Sequence, residues 1–176
     1  MPVLAFTLSL LTALTPLTTV AQTPPAACAP VVAADQKQIT TPHHTYTTRT
    51  HGTTTETSES IATADAIYIQ VRGQWRRSPI TAQQLLEQKR ENIKNAKTFE
   101  CQLVREEAVN GTAATLYRAH TVVEDVSTSD VQIWVAKSTG LPLKEEIDSD
   151  AGDAMTKSHS SLRFEYANIQ APPGVK

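Results

Sequence analysis

From residue 43 onward the chain alternates apolar and polar residues with a period of two, the spacing that sends successive side chains to opposite faces of a β-strand. "AIYIQVRGQWRRSPI" sets Ile67, Ile69 and Val71 on one face and Tyr68, Gln70 and Arg72 on the other, with Gly73-Gln74 marking a reversal before Trp75. "TFECQLVREEAV" and "AATLYRAHTVVED" flank Asn110-Gly111, among the strongest short hairpin signals. "VQIWVAK" and "LPLKEEID" flank Ser138-Thr139-Gly140 in the same manner, and "KSHSSLRFEYANI" aligns Leu162, Phe164 and Tyr166 against Arg163 and Glu165. The earlier hairpin, "HTYTTRTH" with "TETSESIAT", is Thr-rich and poor in apolar residues, which predicts a sheet edge rather than its centre.

The period changes once. In "SPITAQQLLEQKRENIKNAK", Leu85, Leu86, Lys89 and Ile93 lie along one stripe, and Thr81 with Gln84 forms a capping box, so a helix is predicted over about residues 82–96. Its narrow apolar stripe suits packing on a sheet. About eight strands joined by short turns, with this helix inserted, predict an α+β chain built on a curved antiparallel β-sheet. Trp134 is opposite in parity to Ile133 and Val135, so its strand is covered on both faces. Residues 132–148 therefore read as the central hairpin, with Leu141 and Leu143 inward and Lys137, Lys144 and Glu146 solvated. A curled sheet with a single helical plug leaves room for an apolar guest, or side chains fill the interior; the pattern leaves both open.

Residues 1–21, "MPVLAFTLSLLTALTPLTTVA", carry no charge and read as a signal peptide cleaved near Ala21, which predicts export. Pro16 and five Thr residues interrupt the run, which weakens the rival reading of a membrane anchor, and no stable membrane insertion is expected after cleavage. Removing the segment leaves 176 − 21, or 155, residues, enough for one domain with a core. Residues 22–40 read as an extended lead-in, within which "PVVAADQKQ" could supply a short helix, and residues 41–176 as a single β-sheet domain.

The net charge is 16 − 18, or −2, with no basic stripe, which argues against a nucleic-acid partner. The two cysteines of an exported chain, Cys28 and Cys101, are expected to form a disulfide. The rival is lipidation of Cys28, for which Pro25-Ala26-Ala27 lacks the large aliphatic residue of a lipobox.

Enzyme signatures are missing: there is no Gly-x-Ser-x-Gly elbow, no phosphate-cradling Gly-rich loop and no His-Glu-x-x-His, so neither catalysis nor a cofactor is expected. His43, His44 and His51 gather in the first hairpin and make a metal site the sharpest chemical alternative, against an exposed polar edge as the plain one. The aromatic side chains Tyr68, Trp75, Tyr117, Trp134 and Phe164 are the candidate ligand-binding residues, because such rings offer large apolar area at low entropic cost.

"IWVAKSTGLPLKEEID", with "IYIQVRGQW" upstream and "SLRFEYANIQAP" near the end, resembles the LolA-like (lipoprotein-localisation carrier) superfamily of bacterial periplasmic proteins over about residues 65–173. The resemblance implies a half-open barrel with one or two helices on its concave side, holding a lipid or other amphipathic ligand, without catalysis. The leading expectation is thus an exported lipid-binding protein. The alternatives are a periplasmic interaction module with a filled core, using its Thr-rich edge for strand addition, and a metal-binding protein using the three histidines.

Overall fold

The computed structural model describes residues 24–124, 126–151 and 156–175. The signal peptide expected over residues 1–21 and its cleavage near Ala21 lie outside the described residues.

A single 3-10 turn at Ala26–Cys28 leads into α1 (Ala29–Thr40), β1 (His43–His51), β2 (Thr54–Ala62), β3 (Ile67–Val71), β4 (Gln74–Arg77), α2 (Ala82–Lys94), β5 (Thr98–Val109), β6 (Thr112–Val123), β7 (Ser127–Ala136), β8 (Pro142–Ala151) and β9 (Thr156–Glu165). All nine strands join one sheet in the order β4-β3-β2-β1-β9-β8-β7-β6-β5, and every neighbouring pair is antiparallel. The sheet does not close, so β4 and β5 are its free edges. This is the curved, half-open barrel with helices expected from the sequence, with nine strands in place of about eight.

The hairpin turns follow the sequence. Asn110 and Gly111 both take positive φ (50° and 82°), the geometry of a two-residue turn whose twist matches the flanking strands. The reversal before Trp75 is made by Arg72 and Gly73 (φ 52° and 76°), one residue earlier than the sequence suggested. Helix α2 begins at the capping box: Thr81 accepts from the Gln84 amide while the Gln84 side chain accepts from Thr81 N–H.

Two expectations are corrected. Residues 29–40 are helical rather than an extended lead-in, so the short helix that "PVVAADQKQ" could supply is present and longer: Pro30 sits in the first turn, and Val31, Ala34 and Ile39 are buried. That packing supplies what the weak amphipathy of an Ala-rich segment does not. The Thr-rich hairpin is not an edge: β1 pairs with β2 on one side and with β9 on the other, deep in the sheet. Its polarity reflects how little covers its two faces, not its lateral position.

Registers assign the side chains to faces. One face carries α1 and presents Phe99, Cys101, Tyr117, Ala119, Val131, Ile133, Val135, Glu145, Leu162 and Phe164, together with Ile67, Ile69 and Val71 of β3. Val31 and Ala34 of α1 pack there against Ala119, Ile133 and Val135. The opposite face carries most of the charged strand residues, with a patch in which Ala114 and Leu116 surround Trp134 and a second group of His44, Tyr46, Ile61, Tyr68 and Trp75. The expected Cys28–Cys101 disulfide is present and ties the start of α1 to edge strand β5. Glu146, expected to be solvated, lies largely buried, paired with Lys144 at 2.6 Å and His159 at 3.0 Å.

Candidate functional site

The helix-bearing face is the apolar side of the molecule, and its covering is uneven. Helix α1 seals the β6–β7 region, where Ile133 is almost fully buried. Helix α2 buries no residue at all, although its stripe Leu85, Leu86 and Ile93 is half-buried. At the far end of the same face, Ile69 and Val71 remain 38% and 39% exposed. One helix is thus firmly seated and the other rests loosely near a stretch of apolar sheet.

Within this apolar face sits a group of ionisable side chains. Glu145 alternates in register with Ile147 and pairs across the sheet with Ile133 and Leu162, which points its carboxyl toward the helices. It is only 9% exposed. Burial first, then the Asp35 carboxylate of α1, pushes Glu145 up to about 7, while Lys89 of α2 opposes the rise. Lys89 Nζ lies 3.1 Å from Asp35 Oδ2, an ion pair joining the two helices, and Asp35 holds the ammonium above the ordinary lysine range. No donor among the described residues hydrogen-bonds the Glu145 carboxyl. Tyr166, just after β9, borders the group: burial, Glu145 and Asp35 raise its hydroxyl, which donates to the Pro142 carbonyl at 2.6 Å.

His43 completes the wall beside Tyr166, their rings 6.1 Å apart, with Phe164 at 6.2 Å. Burial lowers its pKa, so the imidazole is neutral near pH 7. Nδ1–H donates to the Thr41 carbonyl at 2.7 Å, which leaves Nε2 to accept from the Gln38 side-chain amide at 2.7 Å. His44 points to the other face and pairs with Glu59 at 2.9 Å. His51 shares the parity of His43 but lies eight residues further along the strand, about 26 Å at strand rise, so the three imidazoles do not converge. Among the described residues no group of three or more His, Cys, Asp or Glu side chains could hold a metal ion.

The five aromatic candidates do not come together. Tyr117 and Phe164 face the helices, whereas Tyr68, Trp75 and Trp134 face the opposite side, because their registers have the other parity. Trp134, 8% exposed, packs on Ala114 and Leu116, donates its indole N–H to the Glu107 carboxylate and lies under the Lys144 ammonium, 4.8 Å from the ring centre. These contacts account for it as part of the fold. A shallow trough of about 660 Å³ beside it is lined by Tyr46, Arg105, Glu107, Trp134, Lys144 and Arg163, its cations paired with carboxylates of the same chain. The sequence reading missed Asp35, Lys89 in its polar role, and Glu145. The available signal was a carboxylate alternating in phase with Ile147; Leu143, expected to face inward, packs instead on the Trp134 patch of the opposite face, beside the register shift between Trp134 and Val135.

No protein-family model matches the sequence, and no curated protein is significantly similar to it. Solved structures are similar in fold. The lipoprotein LppX of Mycobacterium tuberculosis superposes with a TM-score of 0.51 at 12% identity, over 84% of this chain and 99% of that one. LprF from Mycobacterium bovis gives 0.45 at 10% identity, over 85% and 98%. A LolA superfamily protein from Nitrosomonas europaea gives 0.29 at 9% identity, over 82% and 94%. The chain thus shares the overall fold of LppX, a curved antiparallel sheet carrying helices on one face.

Proposed function

We propose that the protein is an exported, non-enzymatic carrier that holds a lipid or other amphipathic ligand between the apolar face of its sheet and its helices. The observation that carries this reading is the contrast between that face and its cover. Ile67, Ile69 and Val71 extend the apolar surface beyond α1, while α2, the remaining helix, buries no residue. Apolar area left exposed in this way is where a chain of methylene groups gains most from leaving water. Phe164 and Tyr117 are the ligand-binding residues this reading retains from the aromatic set. The uncharged segment 1–21 and the disulfide both favour export to an oxidising compartment. No helix among the described residues is long and apolar enough to cross a membrane.

The test is native mass spectrometry of the protein purified from its own cell envelope, before and after delipidation. A carrier shows one or more lipid-sized additions that delipidation removes. A bare mass in both samples would reject the reading.

A further inference from the structure

Resting on the carrier reading, we infer that Glu145 and Asp35 form the polar end of the interior site and that it receives the cationic end of an amphipathic ligand, an amine, in the place where Lys89 of α2 now supplies the ammonium.

Three observations carry this. First, Glu145 is only 9% exposed and stands on an apolar face between Ile133 and Leu162 of the neighbouring strands, with no hydrogen-bond donor for its carboxyl among the described residues. Second, its charged and titratable neighbours are few and of uneven sign. Asp35 comes from α1, Lys89 from α2 and the Tyr166 hydroxyl from the segment after β9, so two carboxyl groups meet one cation. Third, that cation comes from the helix with no buried residue, and its side chain is 49% exposed, so it sits at the outer rim of the cluster. A ligand ammonium that lifts Lys89 away gains a desolvated carboxylate pair, while Lys89 needs only to return to water. An anionic head group meets two acids there and is repelled. The apolar tail then runs along the sheet toward Ile69 and Val71, which lie on the same face.

The experiment compares three probes with one tail, dodecylamine, dodecanoate and dodecyl maltoside, titrated below their micellar concentrations into the delipidated full chain at pH 7. Dodecylamine is expected to bind at least about tenfold more tightly than dodecanoate. Glu145→Gln, which keeps the shape of the side chain, should remove most of that preference, and adding Asp35→Asn should remove the rest; a melting curve of each variant reports its folding. Lys89→Gln should strengthen amine binding several-fold. Equal affinity for the three probes, or a preference that survives in folded Glu145→Gln, would overturn the inference and leave the carrier reading standing. Unchanged amine affinity in Lys89→Gln would overturn the displacement of the ammonium. Failure of all three probes to bind counts against the carrier reading itself and removes this inference with it.

Discussion

Glu145 shows how one residue ties the fold to pH. Its carboxyl is raised from its ordinary value to about 7, so between about pH 4.5 and 7 the folded chain keeps a proton that the unfolded chain has released. Stability must therefore fall as pH rises through that window. His159, raised chiefly by its hydrogen bond to Asp148, acts with the same sign, whereas His43, lowered by burial, acts with the opposite one. The difference between wild type and Glu145→Gln isolates the carboxyl. Chemical denaturation at pH 5 and pH 8 should show the wild type losing more stability than the variant, by on the order of 1–3 kcal/mol. Parallel losses would mean that Glu145 titrates like an exposed carboxylate. This residue went unread in the sequence: its alternation with Ile147 was the available signal, but nothing local announced that Asp35, more than a hundred positions earlier, would bear on it.

At the scale of elements, helix α2 and the hairpins were legible because their signals are local. A capping box and a 3.6-residue stripe lie within one segment, and Asn110-Gly111 turns its own neighbours. Helix α1 was legible only as the short helix that "PVVAADQKQ" could supply, since Ala and Pro carry little amphipathic signal and its seating comes from the burial of Val31, Ala34 and Ile39. The position of β1 was not legible either, because pairing between the first and last strands leaves no mark on either one alone. The two helices should differ in dynamics as they differ in burial. Amide exchange followed by mass spectrometry should find α2 opening more readily than α1 or β7. Thr81→Ala, which removes the hydroxyl that accepts from the Gln84 amide and leaves the reciprocal bond from the residue 81 N–H, should cost α2 about 1 kcal/mol, roughly a fivefold loss of protection there, with little change elsewhere. Protection of α2 equal to that of β7 would contradict a loosely seated lid.

In the molecule as a whole, α1 acts as a strap. Its start is fixed to edge strand β5 by the Cys28–Cys101 disulfide, and two residues after its end the chain enters β1, near the middle of the nine-stranded order. The strap therefore crosses the β5–β9 half of the sheet, and its fixed ends hold Val31 and Ala34 over Ala119, Ile133 and Val135. The cross-link joins residues 73 apart, and the chain-entropy account assigns such a loop about 4 kcal/mol through its restriction of the unfolded chain. Cys28 is wholly buried and Cys101 partly so, which shields the Cys28 side of the bond from thiols while the fold holds. Two outcomes follow for urea denaturation with and without reductant. The reduced protein should unfold at a markedly lower midpoint, and reduction of the native protein should be slow unless denaturant is present. The double variant Cys28→Ala, Cys101→Ala should reproduce the lower midpoint and, with one end of the strap released, raise amide exchange across α1 more than across β8. A midpoint unmoved by reductant would show that packing of α1 alone holds the strap in place.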